Sequence, residues 1–353
     1  MDKIGVIVVG CGNMGTSHAR AYHRMDGFEI MGLVSRNPKS RDRLSAELGG
    51  YPTFSSLSEA LKHSRASAVS VNTYPDSHAP LVKEALEAGC HVFVEKPLAM
   101  TVAEARDLVS LASSKQLKLV VGYILRVHPS WTRFVELART LGKPLVMRMN
   151  LNQQSSGVQW YTHKQLMKSM SPIVDCGVHY VDIMCMMTGS RPVSVSAIGA
   201  RLSDEIPGDM YNYGQLQVRF EDGSVGWYEA GWGPMMSETA FFIKDVIGPK
   251  GSVSISDLPR GASDDIEEHT KTGQLHRHFS VLDEQGQFKK QDAFLRVEDE
   301  PDHDGLCLLE QQFFLKAIRE DLDLADHLRD AIHSLQIVLA ADTSVRTGKT
   351  VTL

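Results

Sequence analysis

The sequence predicts a two-domain α/β protein, with a doubly wound parallel sheet first and an α+β domain with a mostly antiparallel, open sheet second. Short apolar runs alternate with helical stretches from residue 4 to residue 122, the pattern of a parallel sheet covered by helices on both faces. After about residue 123, the runs alternate apolar with polar residues and are joined by short turns, which indicates antiparallel strands. We therefore expect domains at residues 1–122 and 123–353.

The composition argues against several classes of protein. A chain of 353 residues exceeds what one hydrophobic core usually holds. Its net charge of −6 argues against nucleic-acid binding. The sequence has no run of about 20 apolar residues, so no membrane span is predicted. The N-terminus lacks a secretory pattern, and the five cysteines are scattered without a Cys-x-x-Cys pair. We therefore expect a cytoplasmic protein with reduced thiols and no metal site.

The first strand, Ile4–Val9, is followed by Gly10-Cys11-Gly12-Asn13-Met14-Gly15 and a helical stretch from Thr16 to Met25. In a G-x-G-x-x-G turn the first glycine permits the tight turn, the second lets the backbone approach a pyrophosphate, and the third lets the helix pack on the strand. The free N–H groups at the helix start then face the phosphates. A Rossmann dinucleotide-binding domain is therefore predicted, with a glycine-rich turn that binds nothing as the alternative. The predicted cofactor contacts in this turn are Gly10, Gly12, Asn13, Met14 and Gly15.

The end of the second strand, Phe28–Ser35, bears on which nicotinamide cofactor binds. An acid at this position usually bonds the ribose 2′-hydroxyl of NAD, but here Ser35 and Arg36 follow, then Asn37-Pro38. A hydroxyl, a guanidinium and a helix start suit a 2′-phosphate. The sequence thus favours NADP, and NAD is the alternative if Arg36 only stacks on adenine.

Two further strand ends are expected at the same edge of the sheet. The strand Ala68–Val71 leads into a loop whose Thr73, Tyr74 and His78 are expected to border the cofactor ribose. The alternative for His78 is a residue at a helix start that only contacts backbone. The buried strand His91–Val94 ends abruptly in Glu95-Lys96-Pro97, where a ligand is expected beyond the carboxyl ends of parallel strands. The alternative for Glu95 and Lys96 is a solvated loop pair. The remaining predicted elements of this domain are helices Lys39–Leu48, Ser55–His63, Ala79–Ala88 and Thr101–Ser114 and the strand Lys118–Gly122.

The second domain is predicted from residues that alternate between apolar and polar along each strand. Glu221-Asp222-Gly223 marks a hairpin turn between two of these strands. The acidic, glycine-bearing segment Asp257–Thr272 is expected to be a surface excursion. The predicted strands are Val146–Gln154, Val193–Ala200, Tyr213–Phe220, Gly223–Ala230 and Ala240–Ile247, and the predicted amphipathic helices are Leu306–Glu320 and Ala325–Thr347.

A second polar cluster lies on a predicted helix that Ser171 caps, with Pro172 in its first position. At about 100° per residue, Asp175, His179 and Asp182 share one helical face. An acid one turn from a histidine can hold the imidazole's tautomer and support its charged form. The alternatives are a structural hydrogen bond and, less favoured because no Cys/His cluster accompanies it, a metal site.

Together, the N-terminal glycine turn, Glu95-Lys96-Pro97 and Asp175-x-Gly177-x-His179-x-x-Asp182 resemble the Gfo/Idh/MocA oxidoreductases, over the whole chain in order and spacing. The resemblance implies hydride transfer between a nicotinamide cofactor and a ring hydroxyl or ketone of a sugar or cyclitol, with Lys96, Asp175 and His179 as the catalytic residues. It also implies a homodimer or homotetramer formed through the open sheet. A glycosidase of the same fold with a tightly held NAD, and a non-catalytic dinucleotide-binding sensor, are the alternative functions.

Several side chains are expected to bind the hydroxyl groups of the substrate, since amides, aromatic faces and charged groups suit such rings. Asp175, His179 and Lys96 are expected to contact substrate as well as to act in catalysis. The other predicted substrate-binding residues are Tyr123, Arg126, Asn152 and Trp160.

Overall fold

The structure, a computed structural model, describes residues 2–237, 243–256, 273–297 and 300–353. The predicted excursion Asp257–Thr272 lies outside the described residues, as does the start of the predicted strand Ala240–Ile247. By its internal contacts the chain forms two compact units, Met1–His128 with Pro301–Ile332 and Pro129–Glu300 with His333–Leu353.

The first unit is built on a parallel sheet of buried, largely β-branched strands. Its strands are β1 (Ile4–Val9), β2 (Phe28–Val34), β3 (Thr53–Phe54), β4 (Ala68–Val71), β5 (His91–Glu95) and β6 (Leu119–Gly122). They lie in the order β3-β2-β1-β4-β5-β6, and every pair is parallel. The strand order therefore reverses between β1 and β4, the switch point at which such sheets bind ligands. The predicted doubly wound parallel sheet is confirmed.

Helices connect these strands. They are α1 (Asn13–Arg24), α2 (Pro38–Glu47), α3 (Leu57–His63), α4 (His78–Glu87) and α5 (Val102–Ser114), with 3-10 turns at Pro75–Ser77 and Ile124–Arg126. Of these helices, α2, α3 and α5 begin at residues whose side chains cap them. Thr101 and Glu104 form a reciprocal capping box at the start of α5, because each side chain accepts a hydrogen bond from the other residue's N–H.

The described part of the second unit contains a nine-stranded sheet, and its mostly antiparallel pairing confirms the prediction. Its strands are β7 (Val146–Gln154), β8 (Pro192–Ala200), β9 (Tyr213–Phe220), β10 (Val225–Gly233), β11 (Lys244–Gly248), β12 (Gly251–Ser256), β13 (Gln274–Phe279), β14 (Ala293–Leu295) and β15 (Val351–Thr352). They lie in the order β14-β13-β12-β11-β7-β10-β9-β8-β15. The pair β7–β10 is parallel, and the predicted hairpin joins β9 to β10 with Gly223 at φ +82°.

Among the residues that the structure describes after β6, six α-helices are present. They are α6 (Pro129–Arg139), α7 (Gly157–Leu166), α8 (Pro172–Asp175), α9 (Gly177–Thr188), α10 (His303–Arg319) and α11 (Ala325–Thr347). Among the described residues, no helix combines the length and the apolar character that crossing a membrane requires.

The two units differ from the two consecutive segments expected from the sequence. The first unit runs past residue 122 to His128 and also contains Pro301–Ile332. That segment carries α10, whose Phe314 stacks on Phe28 with 5.9 Å between ring centroids. An amphipathic helix must bury its apolar face, but the periodicity of its sequence does not predict which sheet that face packs against. The contacts of α10 place it with the parallel sheet.

Candidate functional site

The glycine turn between β1 and α1 is shaped by close backbone contacts. Gly10 has φ +96°, and a Cβ there would lie 2.3 Å from the carbonyl oxygen of Asn72. A Cβ on Gly15 would lie 1.9 Å from the Gly10 oxygen, whereas nothing lies within 4 Å of a Cβ on Gly12. The first and third glycines are therefore required by packing. The second faces open space into which a ligand could come.

The start of α1 offers hydrogen-bonding groups toward that space. Gly12 is the N-cap and supplies no side chain to the first N–H groups of the helix. The buried hydroxyl of Thr16 has no hydrogen-bond partner among the described residues. Asn13 is exposed and Met14 half-buried. Unused N–H groups, an orphaned hydroxyl and open space together fit the pyrophosphate of a dinucleotide.

At the end of β2, the structure places a hydroxyl and a guanidinium where an acid is usual. Ser35 is half-buried, and its Oγ accepts a hydrogen bond from Asn37 N at 3.2 Å. Asn37 caps α2 by accepting from Lys39 N at 3.1 Å, as predicted. Arg36 is exposed, while Arg41 donates to the Ser35 oxygen at 2.8 Å. The side chain of Arg36 thus remains accessible to a ligand.

His78 joins the loops that follow β4 and β5. Its Nδ1 lies 2.7 Å from the Pro97 oxygen, and its Nε2 lies 3.0 Å from the Thr73 oxygen. Burial lowers the pKa of His78, so the neutral imidazole, which has one N–H, is favoured. Both ring nitrogens face main-chain oxygens, and His78 therefore positions the two loops. Tyr74, in the same loop, is 68% exposed.

Glu95 and Lys96 do not form a solvated pair, because Glu95 is only 7% exposed. Its Oε1 lies 2.8 Å from His18 Nε2, and its Oε2 accepts from Lys96 N at 3.2 Å. Burial opposes ionisation of Glu95, but the hydrogen bond from His18 and the nearby positive charges outweigh it and lower the pKa. Lys96 is half-buried, and the peptide between it and Pro97 is cis.

In the second unit, Asp175 and His179 lie where α8 gives way to α9. Ser171 caps α8, as predicted, by accepting from Val174 N at 3.2 Å. Asp175 and His179 are half-buried, but Asp182 is completely buried. The two helices meet at Cys176, which itself has a right-handed helical conformation. That all three side chains share one face stays a prediction. The accessible pair is Asp175 and His179.

Gly177 lets α9 approach the sheet closely. A Cβ there would lie 2.9 Å from Cε1 of Tyr228 on β10. A larger residue would therefore push the helix away from the sheet, and the side chain of His179 with it.

A group of aromatic and amide side chains lies on the same unit near Asp175. Trp232 Nε1 donates to Gln153 Oε1 at 2.7 Å, and Cys176 Sγ lies 3.6 Å from the same oxygen. His163 stacks on Trp232 at 4.4 Å with an interplanar angle of 7°. Burial lowers the pKa of His163 to about 4, against the opposing effect of the Asp175 carboxylate. His163 is therefore neutral at neutral pH.

The predicted substrate-binding residues have partners within their own units. Asn152 Nδ2 donates to Glu229 Oε1 at 2.7 Å. Trp160 Nε1 donates to Glu205 Oε1 at 3.1 Å. In the first unit, Arg126 lies over the ring of Tyr123 at 4.9 Å and donates to the main-chain oxygen of His327 at 3.2 Å. These contacts fix the side chains; their contact with substrate stays a prediction.

Sequence reasoning missed residues whose partners lie far along the chain. Asn72 packs against the glycine turn, and Gln153 and Trp232 lie beside Cys176. In the first unit, Gln311 of α10 bonds His18 at 2.8 Å across 293 positions of sequence. Of these residues, only Asn72 could have been identified from its neighbours in the sequence, because it directly follows a buried strand.

Comparison with known proteins shows the family to which this chain belongs and the fold that it shares with solved structures. Residues 4–123 match the model of an oxidoreductase family, described as a NAD-binding Rossmann fold, and residues 137–254 match the GFO/IDH/MocA C-terminal domain. The chain is 25% identical over 367 residues to scyllo-inositol 2-dehydrogenase (NAD(+)) of Bacillus subtilis, covering 99% of this chain and 96% of that protein.

Two more similarities show how the match varies along the chain. UDP-N-acetylglucosamine 3-dehydrogenase of Acidithiobacillus ferrooxidans is 27% identical over 201 residues, covering 54% of this chain and 56% of that protein. The solved structure of GenD2 from gentamicin A biosynthesis, in complex with NAD, has a TM-score of 0.76 at 22% identity, covering 100% of this chain and 97% of that one. The GenD2 structure therefore has the same fold as this chain.

Proposed function

Since this chain belongs to the Gfo/Idh/MocA oxidoreductase family, we propose that it transfers hydride between a nicotinamide dinucleotide and a ring hydroxyl or ketone of a sugar or cyclitol. The observation that carries the proposal is the glycine turn, with unused N–H groups at the start of α1 and open space in front of Gly12. The accessible pair Asp175 and His179 supplies an acid and an imidazole suited to proton transfer.

The proposed mechanism assigns a task to three side chains. The bound nicotinamide supplies the hydride acceptor at its C4 atom. A ring nitrogen of His179 takes the proton from the substrate hydroxyl, and Asp175 supports the imidazolium that forms. The ammonium of Lys96 donates a hydrogen bond to the same oxygen and stabilises its developing negative charge. In the direction of reduction, His179 returns the proton.

An activity screen tests this function. Purified protein is incubated with NAD or NADP and a panel of inositols, sugars and sugar nucleotides, and reduced nicotinamide is followed by absorbance. We expect absorbance to rise with at least one cyclitol or sugar. Cleavage of a glycoside without net formation of reduced nicotinamide would instead identify the glycosidase. Nucleotide binding without turnover on any substrate would favour the sensor.

We further propose that NADP is the preferred cofactor, because β2 ends in Ser35 and the exposed Arg36 without an acid. Titration of nicotinamide fluorescence should give a lower Kd for NADPH than for NADH. Arg36→Ala should weaken NADPH binding about tenfold, the ~1.4 kcal/mol of one charge-assisted contact, and leave NADH nearly unaffected. Arg43→Ala, on the exposed side of α2, is the matched control. Tighter NADH binding by the native protein would make Arg36 only an adenine neighbour and the cofactor NAD.

Self-association as a homodimer or homotetramer is proposed from an apolar row on the nine-stranded sheet. Val225, Val146 and Ile247 lie in register on β10, β7 and β11, with 38%, 39% and 38% of their surfaces exposed. Paired residues share one face of a sheet. Light scattering should give a dimeric or tetrameric mass, and Val146→Glu should lower it, whereas Val158→Glu on α7 should not. A monomeric native protein at micromolar concentration would contradict the proposal.

A further inference from the structure

A buried polar network lies in the first unit between α1, β5 and α10. His18 bonds Glu95 through Nε2 at 2.8 Å, and its Nδ1 lies 2.8 Å from Nε2 of Gln311. Gln311 in turn accepts a hydrogen bond from the hydroxyl of Tyr22. Each of these polar groups therefore has a partner, although the network lies beneath a sheet of apolar strands.

Glu310 is the exception in this network. It is 3% exposed, and neither of its carboxyl oxygens has a hydrogen-bond partner among the described residues. A Cβ on Gly122 would lie 3.4 Å from Oε1 of Glu310 and also 3.4 Å from Oε1 of Glu95. The two carboxyl groups therefore converge on the same point beside β6.

Two buried carboxylates at one point cannot both stay ionised without a large cost in free energy. Glu95 has two groups facing its oxygens, the ring nitrogen of His18 and the N–H of Lys96. Glu310 has no such donor. Burial, with the negative charge of Glu95, raises the pKa of Glu310 well above its ordinary value, while that of Glu95 is lowered. Glu95 therefore keeps the negative charge.

We propose that Glu310 is a neutral carboxylic acid in the folded protein at neutral pH, and that the Glu310–Glu95 pair carries a single negative charge that positions the main chain of Lys96. Glu95 Oε2 accepts the N–H of Lys96, so the charge on this pair acts directly on the residue after β5. Glu310 is thus a positioning residue. The effect of Glu310 on catalysis rests on the function proposed for Lys96, but the protonation of Glu310 does not depend on that function.

Other charged and titratable groups face the pair from the elements packed around it. His18 and Tyr22 come from α1, His78 from α4, Lys96 from the end of β5 and Cys307 from α10. Donor atoms of His18, Cys307 and Glu310 lie within 4.8 Å of one another. A divalent cation held by these three residues is the competing way to neutralise Glu310.

The pH dependence of stability tests the protonation directly. An acid whose pKa is raised by folding holds a proton that the unfolded chain releases, so its contribution to stability falls as pH rises above the unfolded value near 4.5. Denaturant unfolding is measured from pH 5.5 to 8 for the native protein, Glu310→Gln and the control Glu320→Gln, an exposed acid at the end of the same helix. The unfolding constant of the native protein relative to Glu310→Gln should rise by up to tenfold per pH unit. Parallel pH profiles would overturn the proposal.

Amide hydrogen exchange tests the positioning of Lys96 without substrate. Glu310→Ala should speed exchange in a peptide covering residues 91–100, and the isosteric, neutral Glu310→Gln should restore slow exchange. Equal exchange in all three proteins would contradict the positioning role. A sulfur-to-cobalt absorbance band on adding Co²⁺, lost in Cys307→Ser, would show that a cation replaces the proton, and would also overturn the proposal.

The pH profiles and exchange rates test the role of Glu310 separately from the proposed function. If the protein turns over a sugar or cyclitol, Glu310→Ala should lower kcat at least tenfold with little change in nicotinamide Kd, and Glu310→Gln should recover most of the loss. If no substrate is found, the pH profiles and the exchange rates still decide the protonation and the positioning. A failed activity screen would therefore count against the function alone.

Discussion

His179→Asn is expected to lower kcat by about 10²–10⁴-fold, the usual contribution of a general acid–base group. Asparagine keeps a polar side chain of similar size but cannot accept the substrate proton. The glycine turn belongs to the other unit of the chain, so Kd for the nicotinamide nucleotide should stay within about threefold of the native value, ~0.7 kcal/mol. Steady-state kinetics with the substrate found in the screen, together with fluorescence titration, measure both quantities.

An exposed histidine provides the control for this substitution. His63 is the last residue of α3, and its Nδ1 lies 2.8 Å from the main-chain oxygen of Glu59 in the same helix. His63→Asn should leave kcat unchanged. If His179→Asn retained native turnover, another group would have to act as the base. If the native protein itself turned over no substrate, the function as a non-catalytic sensor would be favoured.

Gly15→Ala is expected to damage both stability and dinucleotide binding. The added Cβ would meet the Gly10 oxygen at 1.9 Å and the Gly10 carbonyl carbon at 2.7 Å, which are backbone atoms that cannot rotate away. Overpacking of this kind costs about 1–3 kcal/mol, so Tm should fall. Nucleotide Kd should rise at least about tenfold, because the displaced Gly10 carbonyl distorts the turn that receives the pyrophosphate.

Gly12→Ala separates these two effects. Its Cβ would meet nothing within 4 Å, and its φ of −83° suits alanine. Tm should therefore match that of the native protein, while nucleotide binding weakens because the methyl group takes up the space left for the pyrophosphate. Differential scanning calorimetry and fluorescence titration give the two readouts. Native affinity in Gly12→Ala would mean that the phosphates do not approach this residue.

Local sequence was enough to predict the parts of the site that follow directly from the end of an element. The glycine turn, the cap Asn37 on α2 and the capping box at Thr101 depend on neighbours within a few residues. Periodicity likewise distinguished buried parallel strands from alternating antiparallel ones. The roles of Lys96, Asp175 and His179 stay predictions, although their elements are where the sequence put them.

Local sequence did not reveal features that depend on which surfaces meet. Asp182 shares the helical period of Asp175 and His179, but tertiary packing buries Asp182 completely, whereas the other two residues are half-buried. The contact of His78 with a cofactor stays a prediction, but its two nitrogens face two loops that only the parallel pairing of β4 and β5 brings together.

The sequence by itself determined the change from buried parallel strands to alternating antiparallel ones, the glycine turn and the charged end of β5, because each follows from local backbone geometry and the spacing of apolar residues. Only the tertiary structure decided that α10 returns to the parallel sheet and brings Glu310 and Gln311 beside Glu95 and His18. The physical reason is that burial and charge pairing depend on distance in space. Residues far apart in the chain, such as Glu95 and Glu310, can therefore set each other's protonation without leaving a pattern in the sequence.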